Sequence, residues 1–325
     1  MNDYYDKNLK LARLNTLSSM DEAKGFIEEK QNIQKDGFFE RSYSYGSSFN
    51  FYLKDLADQK GIQEIFLKHN PEIVINLAAQ AGVRYSITNP EAYVSSNLIG
   101  FSNILESCRE TNVKHLTYAS SSSVYGANKK TPFSEKDPVD HPMSLYASTK
   151  KSNEMLAHSY SAIHNLPTTG LRFFTVYGPW GRPDMSLFIF TKAILENKPL
   201  KIFNHGNHKR DFTYIDDIVE GTILASNRLA KSDEKWKDGY SSSFAPWRIY
   251  NVAKGDSIPL MKFVENIERV LNKKAKVEFL PLQPGDVPET HADISLLSKD
   301  TGYLPNINVE EGVEKFISWY LNFYN

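Results

Sequence analysis

Short apolar runs alternate along the chain with longer stretches whose apolar residues recur at helical spacing. Ile73-Val74-Ile75-Asn76-Leu77 is short and β-branched, which predicts a buried strand. Glu91–Glu110 carries apolar positions three and four apart and predicts a helix. His115–Ala119 predicts a strand, Ala147–His164 a helix and Thr168–Phe174 a further strand, while Asp55-Leu56 close an earlier one. Strands alternating with helices in this way predict an α/β fold: a Rossmann-like, doubly wound parallel sheet with helices on both faces. Ligands of such sheets sit beyond the carboxyl ends of the strands.

After Thr175 the pattern loosens. Loops rich in Pro, Gly and Arg separate predicted helices at Phe188–Glu196, Asp216–Asn227, Leu260–Leu271 and Val309–Asn322, with short strands at Lys201–Phe203, Ile249–Val252 and Val277–Leu280. The expected organisation is a first domain over 1–174 and a smaller α/β substrate domain over 175–325, interleaved with the last strands of the first. Ser42–Ser48 and Lys231–Pro246 have the composition of loops.

The chain has 325 residues, 41% hydrophobic and 24% charged, enough for one large or two modest domains. A net charge of −1 gives no bulk electrostatic reason to expect nucleic acid or an anionic membrane as partner. The single cysteine, Cys108, excludes an intramolecular disulfide and suits a reducing compartment. No apolar run is long enough to span a bilayer, and the start, Met1-Asn2-Asp3-Tyr4-Tyr5-Asp6, is polar; a cytoplasmic protein is expected.

The chemistry concentrates in a few segments. Tyr146 and Lys150, four apart on a predicted helix, share one face. An ammonium near a phenol lowers its pKa and makes it a usable base. Ser120-Ser121-Ser122-Ser123 ends the preceding strand, where the cluster can supply a hydroxyl that relays a proton; a polar loop or helix cap is the plainer alternative. Together these groups suit a nicotinamide-dependent oxidoreductase acting on an alcohol. Ala78-Ala79-Gln80 follow a strand with small side chains, which admits either a flat ligand or close helix packing. Asp55 is a turn residue or an acceptor for an adenine amino group. Arg182, in the stiff Gly178-Pro179-Trp180-Gly181-Arg182-Pro183 loop, can fork onto a carboxylate or phosphate or be simply solvated. Arg210 and Asp286 suit a diphosphate and a ribose diol, with solvated loops as the alternative.

Taken together, Leu171–Met185, Ala81-Gly82-Val83-Arg84-Tyr85-Ser86 and the Tyr146/Lys150 pair resemble the UDP-glucuronate 4-epimerases of the extended short-chain dehydrogenase/reductase superfamily. The resemblance implies NAD-dependent epimerisation at C4 of a UDP-sugar, most closely UDP-glucuronate to UDP-galacturonate, through a 4-keto sugar. It implies Tyr146 as base, Lys150 on the nicotinamide ribose and Ser121 with Ser122 sharing the proton. Asp55, Leu56, Ala78, Ala79 and Gln80 would line the cofactor; Arg84, Thr175, Arg182, Arg210 and Asp286 would bind the substrate. A homodimer through Glu91–Glu110 and Ala147–His164, and a place in capsule polysaccharide biosynthesis, also follow from it. Epimerases of UDP-glucose or UDP-N-acetylglucosamine, and a nucleotide-sugar-binding pseudoenzyme, are the alternatives; the serine cluster has no acidic residue to suit a dehydratase.

The family pattern opens with a strand, a Gly-x-x-Gly-x-x-Gly turn and a helix whose N-terminus holds the pyrophosphate. This chain has no such glycine cluster. An N-terminal truncation by about one such unit of roughly 30 residues is therefore expected. With it are expected an exposed sheet edge and weakened NAD binding.

Overall fold

The computed structural model describes residues 4–16, 43–45, 49–237, 239–283 and 286–324. Asn2, Asp3, Ser42, residues 46–48 of the expected loop, Pro284 and Gly285 lie outside them. A four-stranded parallel sheet runs in the order β3 (Ile73–Asn76), β4 (His115–Ala119), β5 (Thr168–Phe173), β9 (Trp247–Val252). The alternation of side chains along β9 divides the packing. Trp247 and Ile249 face a cluster with Phe101, Leu105 and Ala157, while Tyr250 and Val252 face one with Ile218, Leu297 and Tyr303. Helices therefore cover both faces, which is the Rossmann-like arrangement. Gly170 in β5 has a packing role: a Cβ there would lie 2.7 Å from the Tyr118 phenol oxygen and 2.6 Å from Ile249 Cδ1.

Two expectations about the first sheet need correction. Ile73-Val74-Ile75-Asn76-Leu77 is a strand but not a buried one; Ile73 and Ile75 are 42% and 43% exposed. Among the described residues β3 has one ladder partner, so its outer edge and one row of side chains are uncovered. Asp55-Leu56 do not end a strand of this sheet. Among the described residues the strand before them, β2 (Phe49–Phe51), pairs antiparallel only with β1 (Tyr43–Tyr45), a segment whose composition suggested a loop.

The helices follow local sequence. α1 (Lys7–Asn15), which the hydrophobic pattern did not reveal, starts where Asp6 accepts from the Asn8 amide at 2.8 Å. α2 (Gln59–His69) is capped by Asp58 and closed by Asn70 in the left-handed conformation. The helix expected over Glu91–Glu110 is interrupted: a six-residue π segment, Val94–Ile99, precedes α3 (Gly100–Glu110). α4 (Leu145–His164) begins at Ser144, whose side chain accepts from the Ala147 amide, and this cap puts Tyr146 in the first turn.

Beyond β5 the chain passes directly into β6 (Thr175–Tyr177), which pairs parallel to β8 (Lys209–Tyr214); β10 (Ser257–Pro259) closes that sheet. β7 (Pro199–Ile202) and β11 (Lys276–Phe279) form a separate parallel pair. Helices α5 (Ser186–Leu195), α7 (Leu260–Leu271) and α9 (Val309–Tyr324) pack over these strands in an apolar cluster centred on Phe188, Phe212, Phe263 and Phe316. Between β8 and β9 lies α6 (Ile215–Asn227); α8 (Ser295–Thr301) precedes α9. Among the described residues no helix is long and apolar enough to cross a membrane.

Candidate active site

A cavity of about 920 Å³ opens where β5 and β6 leave the first sheet for the second. Arg84, Thr175, Arg182, Arg210 and Asp286, distant in sequence, all line it. Its other walls include Phe190, Leu200, Phe203 and Phe212, so the charged groups stand on an apolar lining. Arg84 donates to Asp286 at 3.1 Å and lies over the Phe203 ring. Arg210 donates to the carbonyls of Lys209 and Pro288, and burial pulls its pKa down from the ordinary arginine value. Arg182 is less satisfied. Its Nη2 rests on the Met185 sulfur at 3.3 Å, its Nε stands 3.6 Å from Asp184, and among the described residues its buried Nη1 has no partner.

Tyr146 is not among the residues that line this cavity, but its phenol feels the charge of Arg182, which does line it. Burial raises the phenol's pKa, while the nearby Ser121 hydroxyl and the charge of Arg182 pull it back. Lys150 is 3% exposed and donates to the Ala119 carbonyl at 2.7 Å; burial lowers its own pKa to about 8. The charge of Arg182 lowers the phenol's pKa. Ser121 begins the turn Ser122–Tyr125, accepting from the Ser123 amide. Ser122 lies within that turn, and of the pair it is Ser121 that meets the phenol.

The residues expected along the cofactor are not in the cavity. Asp55 is exposed and accepts from the Ala57 amide, and Leu56 packs against Gly100, its carbonyl accepting from Asn103. Ala78 is exposed, Ala79 half-buried and Gln80 buried. Asn97 fixes this turn: its Oδ1 accepts from the Gln80 amide at 2.8 Å, and its Nδ2 donates to the Gln80 carbonyl and to Thr149 on α4. Asn97 sits in the π segment, and its own carbonyl accepts from Asn153 at 2.6 Å. A widened helical turn frees a carbonyl for such a contact. The visible signal was a buried asparagine amid apolar positions.

Sequence reasoning passed over three further groups. Tyr93 stands edge-on to Tyr146 at 6.1 Å and donates to the carbonyls of Ala81 and Gly82. Glu154, two turns along α4 from Tyr146, is fully buried with Arg172 in a bidentate pair, 2.9 Å on each arm. Glu154 also accepts from Ser120 at 2.6 Å, tying α4 to the end of β4. Burial alone would push its carboxyl up, but Arg172 overrides this and holds it below the usual range. Tyr4, before α1, reaches the cavity wall and donates to Asp184 at 2.9 Å.

The chain is 48% identical to Protein CapI of Staphylococcus aureus, covering 100% of this chain and 90% of that protein. It is 49% identical to a probable UDP-glucuronate 4-epimerase of Rhizobium meliloti (strain 1021) over 82% of this chain and 79% of that one. Among solved structures it resembles UDP-glucuronic acid 4-epimerase from Bacillus cereus in complex with UDP-glucuronic acid and NAD. That match has a TM-score of 0.75 and 31% identity over 90% of this chain and 86% of the other. The pattern of the NAD dependent epimerase/dehydratase family runs through residues 18–254. With most of its length matching that pattern and nearly half its residues shared with CapI, the chain belongs to the NAD dependent epimerase/dehydratase family.

Proposed function

We propose that this chain inverts C4 of a UDP-sugar through a 4-keto intermediate, with UDP-glucuronate as the substrate and NAD as the cofactor. The observation that carries the reading is the unsatisfied Arg182 guanidinium in an apolar-walled cavity beside Tyr146. Thr175 and Arg182 hold the sugar and its carboxylate, Arg210 the diphosphate and Asp286 the uridine ribose, with Arg84 at the mouth. Tyr146 takes the proton from the 4-hydroxyl and returns it, with Ser121 sharing it. Residues 1–174 serve the cofactor and residues 175–325 mainly the nucleotide sugar. We also place the protein in the cytoplasm, as a homodimer through the α3 and α4 faces.

The choice of an acidic sugar rests on chemistry. A 4-keto glucuronate is a β-keto acid and tends to lose carbon dioxide. Loss is slow when the carboxylate is kept charged and held out of alignment with the carbonyl. An arginine fork on the Trp180 loop, itself braced by Arg13 donating to the Trp180 carbonyl at 2.5 Å, suits that task. Arg182→Ala is expected to weaken UDP-glucuronate binding about a hundredfold and UDP-glucose binding less than about fivefold, a difference read by calorimetry. Equal losses would remove the acidic-sugar reading.

The donor set fits the nicotinamide end of NAD. Lys150 Nζ donates to the Ala119 carbonyl, and its remaining protons would hold the ribose hydroxyls. When bound, NAD supplies the acceptor for the C4 hydrogen and gives it back. Among the described residues no glycine-rich turn joins a strand of the first sheet to a helix, so this 325-residue chain is expected to purify with little NAD. The test is product analysis by anion exchange, with UDP-glucuronate and added NAD. UDP-galacturonate should form; stoichiometric NAD in the purified protein would refute the weak binding, and absence of turnover at saturating NAD would favour the pseudoenzyme.

A further inference from the structure

Tyr4 and Asp184 lie 180 positions apart and meet at the wall of the cavity. The phenol donates to Oδ2 of Asp184 at 2.9 Å, while Oδ1 of the same carboxylate stands 3.6 Å from Arg182 Nε. A separation of 3.6 Å is an ion pair without a hydrogen bond. Asp184 is therefore a built-in competitor for the guanidinium, held just short of capturing it. The tyrosine is itself fixed. Its ring packs against Tyr85 at 4.7 Å and stands 5.9 Å from the Arg182 guanidinium carbon. Gly82, at φ +106°, leaves room for it, since a Cβ there would lie 2.7 Å from the Tyr4 oxygen. Burial and the bond to Asp184 raise the phenol's pKa, so it remains a donor at neutral pH.

We propose that Tyr4 is a specificity-determining residue: by holding Asp184 it keeps the aspartate off Arg182 and leaves the guanidinium available to the carboxylate of an acidic sugar. This rests on the reading of Arg182 given above. Without the phenol hydroxyl, Asp184 is free to turn both oxygens to Arg182 in a short, charge-assisted pair. An incoming carboxylate then has to displace a like charge. A neutral sugar has no such competition, so the effect appears in the ratio of affinities.

The test uses the full chain and calorimetric titration with UDP-glucuronate and UDP-glucose. Tyr4→Phe keeps the ring and its packing, and is expected to lower the acidic-to-neutral affinity ratio about tenfold. Asp184→Asn is expected to raise that ratio, because the competitor has lost its charge. The double variant Tyr4→Phe/Asp184→Asn should recover at least the wild-type ratio. A role confined to propping the Gly82 turn would weaken both sugars alike and would not be rescued by Asp184→Asn. A wild-type preference for the acidic sugar that survives Tyr4→Phe overturns this inference alone, as does an Asp184→Asn ratio equal to wild type. A wild-type protein with no preference overturns both this inference and the acidic-sugar reading.

Discussion

Tyr146→Phe is expected to lower turnover of UDP-glucuronate by about 10³-fold, within the usual range for removing a general acid–base group. Substrate affinity should change little, because the diphosphate and carboxylate contacts lie on other residues. The phenol is the group that feels both Ser121 and the charge of Arg182, and its residue is half-buried. Phenylalanine fills the same space, so the melting temperature should stay near that of the wild type. Turnover within tenfold of wild type would mean that another group moves the proton. The same site predicts a pH limb. Burial has lowered the Lys150 pKa to about 8, so its charge is present below that value and is lost as pH rises through it. The parameter kcat/KM should therefore fall above about pH 8, since it reports groups of the free enzyme.

Glu154→Ala should cost about 3–5 kcal/mol of folding stability, read as a lower midpoint in urea. The cause is what remains: Arg172, without solvent exposure, would keep its charge with no counter-charge. Its stack on the Tyr125 ring at 4.9 Å and its contacts with the sheet give it no route to water. The paired replacement Glu154→Leu/Arg172→Met should be milder than Glu154→Ala, since it removes both charges and leaves neither stranded. Glu154 also holds Ser120, one residue from Ser121, so the single variant should lose activity before it unfolds. A loss of stability under 1 kcal/mol for Glu154→Ala would show that the pair is not the clasp between α4 and the sheet.

The alternation of elements was legible because each buried strand or helix face leaves a period in its apolar residues. β4, β5 and α4 lie within one or two residues of where the pattern puts them, and β9 extends two residues before it. The edge position of β3 was not legible, because a run such as Ile-Val-Ile says that a strand forms and not how many neighbours it finds. The π segment was hidden for a related reason: Val94–Ile99 keeps helical apolar spacing while its hydrogen bonds shift. Arg84, Thr175, Arg182, Arg210 and Asp286 were picked out by residue type and by resemblance, and the structure gathers them around one cavity. Tyr4 could not be found in this way, as its contact with Asp184 exists only after the chain has folded back on itself. The Glu154–Arg172 pair did leave a trace, an arginine inside the apolar Leu171-Arg172-Phe173-Phe174 strand, which calls for a counter-charge where that strand is buried.

The return of β9 to the first sheet has a consequence for how the molecule can be divided. Its six residues lie beside β5 over the whole length of that strand, although some 70 positions of chain that build the other half come between. A cut after Phe174 would strip the parallel ladder of its outermost rung and leave Trp247 and Ile249 attached to the wrong piece. The two halves are therefore not modules that could be exchanged or produced separately. The first half needs β9 to complete its sheet, and the cluster around Tyr250 and Tyr303 takes Leu171 from β5.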